Sequence, residues 1–248
     1  MTANEYCLIG RKLGHSFSAD FFNEKFRREG ISSHYSLVEL EDFNDLEGYL
    51  RDHPNVRGMN VTIPYKENAA HRCDRLTPEA SAIGAVNTIK VERDADGRVS
   101  LFGTNTDAPG FAAAVADGAS GIEHALVLGT GGASKAVCFA LKSMGIEPCR
   151  VSRVSREGCI TYGDLSPEVM ERHRLVVNTT PLGMMPDTDT FPDIPYHLLT
   201  EAHYCFDLVY NPSVTMFMRL AAEHGARVDN GLQMLVNQAL LAWEFWQK

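Results

Sequence analysis

The sequence of 248 residues predicts an α/β fold in two parts, and two observations lead to this prediction. Short apolar strands alternate with amphipathic helices along the chain, which is the pattern of helices packed on a sheet. A glycine-rich turn at residues 129–133 follows a short buried strand and opens a helix, which is typical of a doubly wound α/β unit. The apolar fraction of 44% and the charged fraction of 22% are ordinary for a globular protein, so a disordered, collagen-like or coiled-coil chain is excluded.

The first part of the chain alternates strands and helices and ends in a hairpin. Its strands are expected at residues 6–9, 34–40 and 57–63, followed by the hairpin strands at 86–92 and 99–102. Ser18 is expected to cap the first helix, whose phenylalanines lie on one side, and Gly30 is expected to end it. Asp96-Gly97 is a typical hairpin turn.

The second part continues the α/β order and ends in a long helix with an apolar stripe. Its strands are expected at residues 125–128, 150–152, 160–162, 175–178 and 204–208, and its first helix at about 134–144. Only a few residues separate Arg156 from Ile160. Because a parallel crossover normally needs a dozen or more residues including a helix, the second crossover helix is expected to be missing. The boundary between the two parts falls near residues 107–124.

The charge and the cysteines restrict the class of protein. The chain carries 23 lysines and arginines and 32 aspartates and glutamates, a net charge of −9, so neither nucleic acid nor an anionic membrane is an expected partner. No apolar stretch approaches the ~20 residues of a membrane span, and the first residues lack the features of a secretory signal. The six cysteines contain no C-x-x-C pair and are expected to be mostly buried free thiols. These features favour a reducing cytoplasm.

The glycine-rich turn, G-T-G-G-A at residues 129–133, predicts a dinucleotide site. Glycines let the backbone approach a pyrophosphate, and the following helix N-terminus offers N–H groups and a positive dipole. About 20 residues past the first glycine, NAD-dependent enzymes place an acidic residue on the ribose hydroxyl. The corresponding segment, residues 151–156, has no acidic residue and contains Arg153 and Arg156, which suit a 2′-phosphate. The sequence therefore favours NADP(H) over NAD(H).

Four polar clusters follow or end predicted strands of the first part, where open α/β sheets bind ligands. They are G-H-S-F-S at residues 14–18, G-M-N-V-T-I-P-Y-K at 58–66, G-A-V-N-T at 84–88 and G-T-N-T-D at 103–107. Each cluster alone is explained by turn and capping chemistry, and His15 is interpreted as part of its loop. Together they supply hydroxyls, amides, a lysine and a carboxylate, which suits a polyhydroxylated small molecule.

In this order the four clusters resemble the motifs of the shikimate dehydrogenase family. The second half agrees through the glycine-rich turn, N-T-T-P-L-G-M at residues 178–184, D-L-V-Y-N-P at 207–212 and the segment 231–239. The resemblance covers nearly the whole chain. It departs from the family pattern where two prolines of the first motif are absent, where N-R-T is S-R-V at residues 152–154, and in the missing helix.

The resemblance implies an N-terminal open α/β substrate domain at residues 1–107, joined by the closing helix at 229–248. It implies a Rossmann-like NADP-binding domain at residues 108–228, and Lys66 and Asp107 as the catalytic pair. The residues that it implies for the hydroxyls and carboxylate of shikimate are Ser16, Ser18, Thr62, Asn87, Tyr210 and Gln238. The residues that it implies for the cofactor are Gly129, Gly131, Gly132, Ala133, Ser152, Arg153, Arg156, Thr179, Leu208 and Gly231.

The implied reaction is 3-dehydroshikimate + NADPH + H⁺ ⇌ shikimate + NADP⁺, a step of the shikimate pathway toward aromatic amino acids. Reducing a ketone by hydride transfer develops negative charge on its oxygen, which a lysine ammonium stabilises and protonates. Lys66 is therefore expected to act as general acid, with Asp107 orienting it. The nine histidines lack metal-ligand spacing and no G-x-S-x-G elbow occurs, so neither a metal nor a covalent intermediate is expected.

Two alternatives stay open. A paralogue that acts on quinate with NAD would share most of the residues implied for the substrate. A non-catalytic NADP(H)-binding sensor on the same fold would be expected to lack the pair Lys66 and Asp107, which is present here. A monomer or a homodimer is expected, since the apolar face of the closing helix can pack within one chain or between two.

Overall fold

The computed structural model describes residues 3–14 and 16–248, so His15 lies outside the described residues. The chain divides into two compact units. Unit 1 comprises Met1–Thr106 with Ala239–Lys248, and unit 2 comprises Asp107–Gln238. These units differ from the expected domain bounds in the placement of Asp107 and of residues 229–238.

Unit 1 contains a six-stranded mixed sheet in the order β2-β1-β3-β5-β6-β4. Its strands are β1 (Asn4–Gly10), β2 (Ser33–Glu39), β3 (Val56–Val61), β4 (Arg75–Leu76), β5 (Thr88–Arg93) and β6 (Val99–Thr104). β1 is parallel to both β2 and β3, whereas β5 and β6 form the predicted antiparallel hairpin. Because β1 and β3 run in parallel, Ser16 and Thr62, which follow them, lie at the same edge of the sheet.

Four helices pack on this sheet. They are α1 (Phe17–Glu29), α2 (Leu46–Asp52), α3 (Lys66–Arg72) and α4 (Pro78–Ile83). Gly30 ends α1 in the left-handed conformation, as predicted. The prediction that Ser18 caps α1 was wrong, because the extended backbone of Ser16 ends the loop and makes it the N-cap. Ser18 lies in the first turn of the helix, with its side chain buried.

Unit 2 contains a six-stranded sheet in which every pair of neighbouring strands is parallel. Its strands are β7 (His124–Leu128), β8 (Glu147–Ser152), β9 (Cys159–Thr161), β10 (Leu175–Asn178), β11 (Tyr204–Asp207) and β12 (Arg227–Asn230). Their order is β12-β11-β10-β7-β8-β9, so the strand order reverses between β7 and β10. Ligands of such sheets bind at the carboxyl ends of the strands beside this reversal. The predicted Rossmann-like unit is confirmed.

The helices of unit 2 include no crossover between β8 and β9. They are α5 (Asp107–Val115), α6 (Gly132–Ser143), α7 (Pro167–Arg172) and α8 (Met216–Glu223). The six residues 153–158 connect β8 to β9 without a helix, which confirms the prediction. β9 pairs with β8 over only three residues, from Arg150↔Cys159 to Ser152↔Thr161. At ~3.3 Å per residue the chain returns over only about 7–10 Å, a distance that six residues cover.

The closing helix α9 (Leu232–Gln247) begins in unit 2, and from Ala239 onward it belongs to unit 1. Within unit 1, the indole Nε1 of Trp246 donates a 3.0 Å hydrogen bond to the carbonyl of Ile89. The ring lies against Gly58, where a Cβ would approach the indole to 2.5 Å. A side chain at this glycine would therefore displace the tryptophan. The prediction that the closing helix returns to the first part is confirmed.

All six cysteines are free, but only Cys7 and Cys205 are buried. The prediction of mostly buried thiols was wrong for the other four, which are half-buried: Cys138, Cys149 and Cys159 lie on α6, β8 and β9, and Cys73 directly follows α3. Across residues 3–14 and 16–248, none of the helices combines the length and the apolar character needed to cross a bilayer.

Candidate active site

Asn87 lies at the centre of a buried hydrogen-bond network in unit 1 and is 3% exposed. Its Oδ1 accepts a 2.7 Å hydrogen bond from the backbone N–H of Thr106, and its Nδ2 donates to the Thr106 hydroxyl at 2.9 Å. The Thr88 hydroxyl also donates to Oδ1, at 3.3 Å. Because a backbone N–H only donates, these contacts fix which end of the Asn87 amide is oxygen and which is nitrogen.

Lys66 begins α3 and is half-buried. Its backbone carbonyl accepts a 2.8 Å hydrogen bond from the N–H of Val86, the residue before Asn87. Thr62, after β3, donates its N–H to the carbonyl of Ile9 at 2.9 Å. The Val86–Lys66 and Asn87–Thr106 hydrogen bonds therefore bring three of the four polar clusters together.

The remaining cluster contributes two serines at the start of α1. Ser16 is half-buried and makes no side-chain capping hydrogen bond. Ser18 is 7% exposed, and the nearby Tyr35 hydroxyl donates to Oδ1 of Asn60 at 2.7 Å. Burial raises the pKa of Tyr35 well above its ordinary value of 10, and the Ser18 hydroxyl opposes the rise. The Tyr35 phenol is therefore protonated throughout the physiological range.

Asp107 and Gln238 lie on two helices of unit 2 that approach each other closely. Asp107 begins α5 and is 5% exposed, and Gln238 on α9 is 8% exposed. The helices meet at Gly110, where a Cβ would lie 3.1 Å from the Cβ of Gln238. Asn237 adds a hydrogen bond from its Nδ2 to the carbonyl of Gly110 at 3.3 Å. Since residues three apart share a helix face, Asp107 lies on the face of α5 that meets α9.

The glycine-rich turn connects β7 to α6 and leaves backbone accessible. Gly129 has φ +117°, which L-residues rarely adopt, and a Cβ there would lie 2.7 Å from the hydroxyl of Thr179. Gly131 is the N-cap of α6, and a Cβ there would meet no atom within 4 Å. No side chain caps α6 and its first turn has no acidic residue. The open backbone and the N–H groups of this helix end fit a dinucleotide pyrophosphate.

Arg153 and Arg156 lie in the short connection between β8 and β9 and are exposed. Arg156 donates from Nη1 to the hydroxyl of Thr130 at 3.3 Å, so this side chain reaches the glycine-rich turn. Ser152 ends β8, is 6% exposed, and accepts a 3.4 Å hydrogen bond from the N–H of Val154. Two guanidinium groups beside this strand end fit the phosphate of an NADP adenosine.

Asp207, at the end of β11, centres a buried network that the sequence did not predict. Its carboxylate accepts hydrogen bonds from the Thr215 hydroxyl at 2.6 Å, from Asn178 Nδ2 at 2.9 Å and from the Val209 N–H at 3.0 Å. Burial raises the pKa of Asp207 from 3.8 to about 6, and these hydrogen bonds oppose the rise. The network joins the ends of β10 and β11, next to Thr179. In the sequence, the signal for this network is an acidic residue at the end of an apolar strand.

Gly231 precedes α9 and packs against the backbone of Leu208. A Cβ at Gly231 would lie 2.2 Å from the carbonyl oxygen of Leu208, so this position excludes a side chain for packing reasons alone. Tyr210 follows in the loop after β11 and is half-buried. Unit 2 therefore holds Gly129 beside Thr179, and Leu208 beside Gly231.

The first unit resembles a known family of proteins. Residues 8–89 match a family model described as the shikimate dehydrogenase substrate binding domain. These residues carry Ser16, Ser18, Thr62, Lys66 and Asn87.

Curated relatives extend the similarity to both units. A shikimate dehydrogenase (NADP(+)) of Carboxydothermus hydrogenoformans is 35% identical over 257 residues, which is 96% of this chain and 90% of the relative. A protein of the same name from Clostridium beijerinckii is 36% identical over 260 residues, 98% of this chain and 92% of the relative.

Solved structures agree. Shikimate 5-dehydrogenase from Thermus thermophilus, crystallised with NADP(H) and shikimate, superposes with a TM-score of 0.83 at 35% identity, over 98% of this chain and 93% of the other. The Listeria monocytogenes shikimate 5-dehydrogenase, crystallised with shikimate and NAD, superposes with a TM-score of 0.83 at 26% identity, over 99% of this chain and 92% of the other. A quinate dehydrogenase from Corynebacterium glutamicum shares the fold, with a TM-score of 0.83 at 24% identity, over 98% of this chain and 93% of the other.

Proposed function

This chain belongs to the shikimate dehydrogenase family, and we propose that it catalyses the NADPH-dependent, reversible reduction of 3-dehydroshikimate to shikimate in the shikimate pathway. The observation that carries the proposal is identity of 35% over 96% of the chain with a curated NADP(+)-dependent relative. We place the enzyme in the cytoplasm, because its six cysteines are free thiols.

The cofactor residues are proposed from the fit of unit 2. The bound nicotinamide supplies the hydride for the reaction. Residues 129–133 hold the pyrophosphate at the uncapped start of α6, and Ser152, Arg153 and Arg156 hold the adenosine phosphate. Thr179, Leu208 and Gly231 form the nicotinamide side, where Asp207 fixes the strand ends. This assignment is supported by the absence of an acidic residue at positions 152–156.

Substrate binding is assigned to polar side chains at strand and helix ends of each unit. The proposed set is Ser16, Ser18, Thr62, Asn87, Tyr210 and Gln238. Asn87 and Ser18 are both buried, and Asn87 is held by hydrogen bonds to Thr88 and Thr106, so its geometry is preorganised. The shikimate hydroxyls and carboxylate require this mixture of hydroxyl and amide groups.

Lys66 is proposed as the general acid of the reduction and the general base of the reverse reaction. Its ammonium protonates the oxygen on which negative charge develops, and it recovers the proton when shikimate is oxidised. Asp107 is proposed to orient Lys66 and the substrate hydroxyl. Two hydrogen bonds in unit 1 support the pairing: Val86 binds the Lys66 carbonyl, and Asn87 binds Thr106, the residue before Asp107.

The proposal is tested by assaying the purified chain with shikimate or quinate, each with NADP⁺ or NAD⁺. We expect the highest kcat/KM with shikimate and NADP⁺. Preference for quinate or for NAD⁺ would favour a paralogue of that specificity. Use of NAD⁺ is tested because the Listeria shikimate 5-dehydrogenase was crystallised with NAD. Binding of NADPH without turnover of either alcohol would favour the sensor instead.

The role of Lys66 is tested by Lys66→Ala and Lys66→Arg. Loss of the general acid lowers kcat by about 10²–10⁴-fold in both variants, because a guanidinium keeps the charge but does not release a proton. The melting temperature should stay near that of the wild type. Lys142→Ala, which removes an exposed lysine of α6, is the matched control. Near-normal kcat in Lys66→Ala would refute the assignment.

A further inference from the structure

We propose that Tyr35 and Asn60 are positioning residues that hold Asn87 in the arrangement that binds the substrate. Neither residue belongs to the set assigned to ligand contact. The inference rests on the proposed function, because it assigns a role relative to that substrate. Its evidence is a continuous hydrogen-bond chain within unit 1.

The first link of the chain is Tyr35 on β2, which is 1% exposed. Its hydroxyl donates a 2.7 Å hydrogen bond to Oδ1 of Asn60. The ring stacks on Phe22 of α1, with centroids 4.7 Å apart and planes 16° from parallel. Stacking fixes the ring, so the phenol oxygen has a defined position from which to hold Asn60.

The second link is Asn60 on β3, which is 5% exposed. Its Nδ2 donates to the carbonyl of Asn87 at 3.3 Å and to the hydroxyl of Thr88 at 3.1 Å. A carbonyl only accepts, so the nitrogen of the Asn60 amide faces Asn87 and its oxygen faces Tyr35. Both hydrogen-bonding ends of this side chain are therefore used to connect Tyr35 to the substrate-binding position at Asn87.

The chain of contacts spans the sheet, because β1 lies between β2 and β3 in the strand order. It starts at Tyr35 on β2 and ends at Asn87, which in turn binds Thr106. Burying these polar groups costs free energy that an apolar pair would avoid, since each must be desolvated. We attribute their presence to the defined geometry that a satisfied polar network imposes on its neighbours.

The test is Tyr35→Phe, which removes one hydroxyl and keeps the stacked ring. We expect the KM for shikimate to rise by about threefold to tenfold, the effect of one lost buried hydrogen bond, while the KM for NADP⁺ stays unchanged. Thr88→Val removes a hydroxyl from the other end of the network and should raise the same KM. Tyr49→Phe is the matched control, because Tyr49 is a half-buried tyrosine of unit 1 whose ring stacks on His53, outside this network.

A purely structural role predicts another result. In that case Tyr35→Phe lowers the melting temperature while leaving the shikimate KM unchanged, or raises both KM values equally, and either outcome overturns the inference. If the wild-type chain does not turn over shikimate, the proposed function fails and the inference fails with it. Wild-type turnover with an unchanged shikimate KM in both variants refutes the inference alone.

Discussion

The side-chain oxygen of Asn87 accepts a 2.7 Å hydrogen bond from the backbone N–H of Thr106. Thr106 is the last residue of unit 1 before α5 begins with Asp107. The side-chain amide of Asn87 therefore has two roles. It is a proposed substrate contact, and it holds the backbone that precedes the proposed catalytic carboxylate.

Asn87→Ala should lower both stability and substrate binding. The variant leaves the Thr106 N–H buried without its acceptor, so the free energy of unfolding should fall by about 1–3 kcal/mol. The KM for shikimate should rise in the same variant. Urea unfolding and steady-state kinetics measure the two effects, with the exposed Asn44→Ala as control. Stability equal to that of the control would contradict the structural part of this prediction.

Two glycine substitutions should separate packing from cofactor binding. Gly231→Ala places a Cβ 2.2 Å from the Leu208 carbonyl, so overpacking should lower the free energy of unfolding by about 1–3 kcal/mol. Gly131→Ala places its Cβ in open space, so stability should be retained while the KM for NADP⁺ rises. Thermal unfolding and cofactor titration distinguish the two. An unchanged cofactor affinity in Gly131→Ala would argue against pyrophosphate binding at this turn.

Arg153→Ala and Arg156→Ala should each reduce the preference for the phosphorylated cofactor. Loss of a charged hydrogen bond to phosphate should raise the KM for NADP⁺ by about 10- to 100-fold, and the KM for NAD⁺ should change little. Arg172→Ala, at an exposed position of α7, is the control. Equal effects on both cofactors would show that the arginine acts elsewhere than on the 2′-phosphate.

Asp207 should make stability depend on pH in a defined direction. Its pKa is about 6 in the folded protein against an ordinary 3.8, so the folded state binds this proton more tightly than the unfolded state. The contribution to the free energy of unfolding is present at low pH and is lost as pH rises from about 4 through 6, by about 3 kcal/mol.

Asp207→Asn removes that titration. Relative to the variant, the free energy of unfolding of the wild type should therefore fall between pH ~4 and 6. Above this range the difference between the two proteins should stay constant. Chemical unfolding at several pH values measures this, with the exposed Asp117→Asn as control. A difference between wild type and Asp207→Asn that does not vary with pH would contradict the assignment.

Local patterns in the sequence were sufficient for most of the fold. Most strands, the hairpin at Asp96-Gly97 and the helix after the glycine-rich turn are encoded by neighbouring residues, so periodicity and turn chemistry reveal them. The two-residue β4 and the edge strand β12 were not predicted. The missing helix followed from a simple count of residues between Arg156 and Ile160. The start of α1 was misplaced because Ser16 and Ser18 both have the residue type of a cap, and backbone geometry decides between them.

Local patterns in the sequence could not reveal the residues that support the site. Tyr35 and Asn60 are 25 residues apart and meet only because the sheet places their strands on either side of β1. Asp207 likewise depends on Asn178, 29 residues away. Such contacts arise from strand order, which no local pattern records. Gly231 was interpreted through the cofactor, whereas its packing on Leu208 already requires glycine.

The short connection between β8 and β9 also has a consequence for local opening. β9 has three residues, all half-buried, and pairs with one neighbour only. Closing a six-residue loop costs little chain entropy, so we expect β9 to detach and re-form without unfolding the remaining strands. Amide hydrogens at this edge should then exchange through small fluctuations rather than through global unfolding. The proposed phosphate-binding arginines would thus be carried by a segment with an independent opening equilibrium, and a bound dinucleotide should stabilise its closed form.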